Sequence, residues 1–346
     1  MEIKTLDRRQ YRIFAGFALL FLLLLILTAV NLCVGSVSLS WSHVFAELTG
    51  TDKNSISHSI IYDIRLPRLF AALLLGGALS VSGLLLQTFF HNPIAGPYVL
   101  GVSSAAKLVV ALAMITCLKH RVVLTSPMMI LAAFCGAMLA MGFVLLAAAK
   151  VPSMEILVIC GVIIGYFCSA ATEFAVTFAD DTSIVNLHYW SMGSFSGIGW
   201  EHTKAMSLFV VIGITGSILL AKPMSAYQLG ESYAANLGVS IRLFRIALIV
   251  LSGLLTATVT AFAGPISFVG MAVPHLIRVL FATEKPLILI PAVFLGGACF
   301  CLFSDFAARM LFAPTELSVS AVTSVVGAPI VIWMLLGRNR HAASKH

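Results

Sequence analysis

Ten apolar runs, separated by short breaks of Pro, Gly or charge, constrain this chain more than any other feature. They cover residues 12–34, 67–90, 98–118, 126–149, 154–179, 203–221, 241–263, 268–283, 287–308 and 317–336. A membrane-crossing helix needs about 20 predominantly apolar residues, and most of these runs supply them. Of the 346 residues, 60% are apolar and 10% charged. A soluble domain is about 25% charged, and disorder needs few apolar residues, so both classes are excluded. The expectation is an all-α membrane protein: a single transmembrane domain over 1–346 with ten helices. The first run, Ile13 to Val34, is too long for a secretion-signal core and has no convincing cleavage site after it, so it reads as a retained span.

The net charge of +7 does not point to nucleic acid, because the basic residues flank apolar runs and form no stripe or arm. They set topology. Lys4, Arg8, Arg9 and Arg12 precede the first run, and Arg338, Arg340 and Lys345 follow the last. An even span count puts both termini on one side, and the positive-inside rule makes that side cytoplasmic. Lys150, Lys222, Arg242, Arg245, Arg278 and Lys285 then also lie inside, thirteen in all with the tails. Seven lie outside: Lys53, Arg65, Arg68, Lys119, Arg121, Lys204 and Arg309. Lys107 and Glu173 fall within spans, where charge costs about 3 kcal/mol and marks a candidate functional position. Lys107 either snorkels to the cytoplasmic face, pairs with Glu173, or meets a substrate.

Three connections carry more than a turn. Residues 35–66 include an amphipathic piece, Trp41 to Leu48. Residues 180–202 place Tyr189, Trp190 and Trp200 among glycines, as suits an interfacial segment, and Asp180–Asp181 reads as a helix-ending turn. Lys222 to Leu243 is polar and reads as a short helix pair outside the bilayer. Gly161, Gly165 and Ser169 recur every fourth residue, as do Gly76, Ser80 and Leu84, a spacing that lets helix backbones approach. The seven cysteines lie in or beside apolar runs without C-x-x-C spacing and read as buried filler. No G-x-x-x-x-G-K-[ST] and no H-E-x-x-H occurs, so no nucleotide or zinc-hydrolase site of the chain's own is expected. No nucleophile and base can be paired by spacing. Transport therefore fits better than membrane-embedded enzymology.

Three stretches together resemble one family. The first runs from Arg65-Leu-Pro-Arg68 through Gly76-Gly77-Ala78, Gly83 and Gln87 to His91-Asn-Pro-Ile-Ala95 and Leu100-Gly-Val-Ser103. The second is Ala263-Gly-Pro-Ile-Ser-Phe-Val-Gly270, continuing to Pro274-His275-Leu276 and Arg278. The third holds Gly296-Gly297, Asp305, Arg309, Glu316-Leu317 and Gly327-Ala-Pro329. Their order and spacing, over about residues 60–336, resemble the FecCD-type permeases, membrane subunits of type II ATP-binding cassette importers for iron–siderophore complexes, haem and vitamin B12. The resemblance implies ten helices per subunit and a central path between two permease subunits, identical or sister chains. It also implies two separate cytoplasmic ATPases holding ATP and Mg, a periplasmic or lipid-anchored binding protein, and a place in the bacterial inner membrane. No cofactor or metal bound by this chain is implied.

The resemblance also assigns residues. Arg65, Arg68 and Arg309 correspond to arginines that pair with glutamates on the binding protein; the planar guanidinium suits carboxylate bidentately. The alternative is snorkelling to lipid phosphates. Residues 225–238 resemble the coupling helices that sit in the ATPase cleft, with Leu229, Gly230, Glu231, Ala234, Leu237 and Gly238 as contacts. Ser153, Met154 and Glu155 stand at the family's inner gate, where hydroxylic residues are usual, so Met154 and Glu155 depart from it. Asn92-Pro93 and Gly264-Pro265 break the apolar pattern; irregular backbone at membrane depth is tolerated beside a water-filled cavity, so these border a path or form plain turns. The competing class is an ion-coupled secondary transporter of a small solute.

Overall fold

The computed structural model describes residues 2–35, 40–48, 56–120, 122, 125–150 and 154–343; among these the chain is helical, with no strand. Helix α1 is Glu2–Cys33, α2 Trp41–Leu48 and α3 Ile56–Ser59; a wide turn at Ile60–Arg65 leads into α4, Leu66–Phe90. A tight helical turn, Pro97–Leu100, precedes α5, Val102–Lys119, followed by α6 Ser126–Lys150, α7 Met154–Val176, α8 Asp181–Ser191 and α9 Trp200–Leu219. Then come α10 Ala221–Tyr227, α11 Glu231–Asn236, α12 Ile241–Ala263, α13 Val269–Phe281, α14 Pro286–Met310 and α15 Val319–Ala343.

Among the described residues, eight helices are long and apolar enough to cross a membrane, and the apolar stretches Val269–Phe281 and Val319–Met334 are shorter. Each of the ten apolar runs falls on one of these. Two runs differ in form. The run 268–283 becomes α13, 13 residues long, about 20 Å at the helical rise and too short to cross alone. The run 98–118 is split by the Pro97–Leu100 turn, so α5 starts only at Val102.

Helix α4 is the axis of the bundle. It is apolar on every side, the pattern of a helix buried all round, and it packs against α14, α12, α13 and α9. Its glycines allow backbone contact. A Cβ on Gly76 would stand 2.5 Å from the Gly297 carbonyl oxygen, and one on Gly83 only 1.7 Å from that of Gly270. Buried hydroxyls tie α4 to α12: Ser82 Oγ lies 2.6 Å from Thr256 Oγ1 and 3.1 Å from Ser252 Oγ. Gly161 and Gly165 seat α7 on the Leu100–Gly101 turn, and Ser169 Oγ donates to Ser104 Oγ at 3.2 Å. Replacing Gly83 with leucine should force α4 and α13 apart. The expected result is a lower midpoint of thermal unfolding in detergent, by an overpacking cost of about 1–3 kcal/mol or more.

Three connections sharpen the sequence reading. The piece Trp41–Leu48 is helical as expected, and the polar stretch after α9 does form the short pair α10–α11. Asp180–Asp181 begins a helix rather than merely ending one: Asp180 accepts from the Ser183 backbone N–H at 3.4 Å and caps α8. Trp200 also ties the fold internally. Its indole N–H donates to the Tyr62 carbonyl oxygen at 2.7 Å, and its ring meets Phe70. Among the cysteines, Cys33, Cys168, Cys299 and Cys301 are buried, but Cys135 is exposed on α6, so the expectation of buried filler fails there.

Candidate functional site

The antiparallel packing of α4 on α14 gathers Arg65, Arg68 and Arg309 at one end of the bundle. All three line a cavity of about 500 Å³ together with Asn31, Gly35, Asp305 and Glu316. Arg68 forks between two carboxylates. It reaches Asp305 Oδ1 at 2.9 Å from Nη2 and donates to Glu316 Oε1 at 3.1 Å from Nη1. Asp305, its side chain 3% exposed, also faces Arg309 Nε at 3.2 Å, one helical turn along α14. Arg309 donates to the Asn31 side-chain oxygen, and Arg65 to the Leu32 carbonyl oxygen. The three arginines are thus held by groups of this chain and are mostly covered, not standing free on a surface. Asn31 and Glu316 complete the cluster. Sequence reasoning assigned them no role, since their partners lie 278 and 248 residues away.

At the other end of α4, α10 packs on α14 and α9 and α11 on α12, and Tyr227 of α10 reaches His91 just past the last turn of α4. Gly230 joins the two short helices at φ +121°, where an L side chain is strained, although a Cβ there would meet open space. Tyr227 is fully buried, its ring centroid 4.7 Å from that of His91 at the end of α4 and 5.0 Å from Phe244 of α12. Its hydroxyl donates to Glu231 Oε1 at 2.9 Å, and Arg245 Nε donates to that hydroxyl at 3.3 Å. Arg245 also pairs directly with Glu231. Burial pushes the Tyr227 phenol up to about 12, so it remains a donor at neutral pH. Ala234 is buried, whereas Leu229, Tyr233 and Leu237 are 70%, 50% and 60% exposed, an apolar patch on the tip. The spacing of Tyr227 and Glu231 is legible in sequence; the closing contact from Arg245 is tertiary.

Between the ends, the turn breakers do not all meet. Asn92, exposed, makes a local turn by accepting from Ile94 N–H at 3.0 Å. Gly264, at φ +72°, packs instead on Trp190 and Gly193. The segments after each breaker do meet: Gly96, Pro97 and Tyr98 face Ser267, Phe268 and Gly270 around a cavity of about 150 Å³. Tyr98 Oη accepts from the Ile266 N–H at 3.2 Å. Gln87 accepts from Arg278 Nη1 at 2.7 Å, so the first two sequence motifs are one structural unit.

Ser153 lies outside the described residues, and Met154 and Glu155 begin α7. Lys107 is half-buried and Glu173 exposed, and among the described residues they form no ion pair with each other. Because α5 starts only at Val102, Lys107 stands nearer the arginine end: Gly136, ten residues into α6, packs on Ala105 and Ala106.

A helical bundle of eight membrane-length helices among the described residues, with an arginine–carboxylate cluster at one end of its central helix and a capped helix pair at the other, has the architecture of a polytopic membrane protein. The chain belongs to the FecCD transport family, whose sequence signature matches residues 22–337. It is 36% identical over 342 residues to the vitamin B12 import system permease protein BtuC of Vibrio vulnificus (strain CMCP6), covering 97% of this chain and 98% of that one. It is 34% identical over 331 residues to the hemin transport system permease protein HmuU of Yersinia pestis, covering 95% and 97%. The fold superposes with a TM-score of 0.82 on a solved metal-chelate type ABC transporter in an inward-facing conformation, at 28% identity over 93% of this chain and 99% of that one. The chain is therefore a multi-pass permease of the bacterial cytoplasmic membrane, in a family whose importers take their ATPase as a separate subunit.

Proposed function

We propose that this chain is the membrane subunit of an ATP-binding cassette importer that moves a metal chelate, an iron–siderophore, haem or cobalamin, into the cytoplasm by alternating access. The observation that carries the reading is the pair of clusters at opposite ends of one buried helix, α4, within a chain that matches importer permeases over nearly its whole length. In this reading the arginine cavity faces outward. There Arg65, Arg68 and Arg309 dock an acidic binding protein that delivers the cargo. The α10–α11 pair faces the cytoplasm and seats in an ATPase through Leu229, Gly230, Glu231, Ala234, Leu237 and Gly238. Two permease subunits enclose the path, which Asn92, Pro93, Gly264, Pro265, Lys107, Glu173 and the start of α7 at Ser153, Met154 and Glu155 border. The chain itself performs no covalent step and binds no cofactor; ATP and Mg belong to the partner ATPases.

Affinity purification from native membranes should bring down a P-loop ATPase. Uptake into vesicles should then require ATP and stop with vanadate. Uptake that persists without the ATPase and follows an ion gradient would refute the proposal and establish a secondary transporter.

A further inference from the structure

Helix α7 differs from the lipid-suited face of α1. On α1 from Phe14 to Ile26 the exposed side chains, Phe14, Leu19, Phe21, Leu22, Leu23, Leu25 and Ile26 among them, are apolar, as a lipid contact requires. On α7 the residues Ile159, Ile163, Tyr166, Ala170 and Glu173, continued by Thr177 in the turn just after it, at alternating spacings of four and three, form one exposed stripe. Such a stripe is a single helix face. Its first half is apolar and its second half is not: beyond Tyr166 come a small side chain, a carboxylate and a hydroxyl, with the exposed Ser169 beside them.

The depth of Glu173 follows from register. Ser104 of α5 meets Ser169 of α7, and Ala105 and Ala106 meet Gly136 of α6. Glu173 therefore sits about 10 Å below the level where α6 begins, well within the length of that helix. Among the described residues its carboxylate has no ion-pair partner, and Lys107, near the same depth, does not reach it. An exposed carboxylate at that depth is costly against hydrocarbon and is accommodated by a water-filled cavity or a polar neighbour. Ser169, Ala170 and Thr177 leave room for water on one side of it, while the exposed rings of Phe174 and Phe178 flank the other.

We infer that Glu173 is a charge-selecting residue of the cargo path: its carboxylate faces water in the outer third of α7 and favours a chelate surface bearing positive charge or hydrogen-bond donors over an anionic one. This rests on the importer reading. It adds the sign of the charge that the path accepts.

The test uses the full chain in right-side-out membrane vesicles, with its seven native cysteines replaced and one reporter introduced, Thr177→Cys or, in a second variant, Ala170→Cys. The probes are two methanethiosulfonates of similar size, one cationic and one anionic. At least one reporter should react with both probes, the cation faster. Glu173→Gln should then lower the cation-to-anion rate ratio by about tenfold, while Glu173→Asp preserves it. An unchanged ratio in Glu173→Gln overturns the inference. So does failure of both reporters to react with either probe, which would mean that the stripe is closed against lipid or protein. ATP-driven uptake is measured in the same vesicles. Loss of ATP dependence with the ratio change intact refutes the importer reading and leaves the charged water path standing.

Discussion

Arg65→Glu is expected to abolish docking of the binding protein while the permease stays folded. Arg65 lies beside Arg309: a Cβ on Gly35 would touch the Arg65 Nη2 at 3.0 Å and approach the Arg309 Nη1 at 3.6 Å. Two like charges held this close at a cavity wall attract an incoming carboxylate strongly. A glutamate in place of Arg65 gives up the bond to the Leu32 carbonyl oxygen but gains Arg309 as a partner, so the fold is kept while the cavity loses its positive potential. Losing a desolvated charge pair at an interface costs about 2–5 kcal/mol, roughly thirtyfold or more in affinity. Surface plasmon resonance with the purified binding protein on reconstituted permease measures it. Docking at wild-type affinity would show that these arginines serve structure alone.

Arg68→Glu should behave differently, and the contrast separates docking from folding. Arg68 is the counter-charge of Asp305, which is nearly inaccessible, and of the half-exposed Glu316. Removing one partner of a buried pair costs about 3–5 kcal/mol, whereas removing the whole pair is often close to neutral. Arg68→Ala should therefore unfold at a lower temperature than wild type in detergent, and Arg68→Ala with Asp305→Ala should recover only part of the loss, because Arg309 then loses its counter-charge. Glu316, more exposed than Asp305, is the carboxylate that a docking partner can displace, so Glu316→Gln should strengthen docking modestly.

The difference between these arginines marks where sequence reading stopped. Arg65, Arg68 and Arg309 were identifiable because they oppose the topology rule and sit in family motifs. Their partners were not, because a cluster built from α4, α14 and the chain after it has no periodic signature. The same holds for packing. Gly76 and Gly83 announce close approach, but only the folded chain shows that Gly297 and Gly270 are what approach. Hydropathy placed α13 within two residues at each end, as the run 268–283 against Val269–Phe281, but did not supply the reason for its start: the backbone turns just before it, with Gly264 at φ +72° and Phe268 at φ +64°. Apolar content reports depth in the bilayer, whereas those dihedrals decide where a helix can start. The α10–α11 pair, by contrast, was legible from polarity and Gly230, because its geometry depends on local backbone freedom.

Tyr227→Ala is expected to leave the ATPase bound and yet uncouple its hydrolysis from uptake. Two functions meet in the α10–α11 pair, and different residues carry them. The exposed apolar side chains Leu229, Tyr233 and Leu237 offer a contact surface, and buried apolar or aromatic anchors dominate interface energy. Replacing all three with aspartate should strip the ATPase during purification, since each desolvated anchor is worth about 1–2 kcal/mol or more. Tyr227 points the other way. It is wedged between His91, which caps the end of α4, and Phe244 on α12 and is locked by the Glu231–Arg245 pair, so movement of the helix pair reaches the ends of two core helices through one ring. An alanine there leaves the contact surface intact and breaks that link. Copurification should be unchanged and vanadate-sensitive hydrolysis should persist, while uptake falls to background. Tyr227→Phe keeps the wedge and loses only the hydroxyl, and should retain most uptake. Equal loss in the alanine and phenylalanine variants would shift the coupling role from the ring to the hydrogen bonds of Glu231 and Arg245.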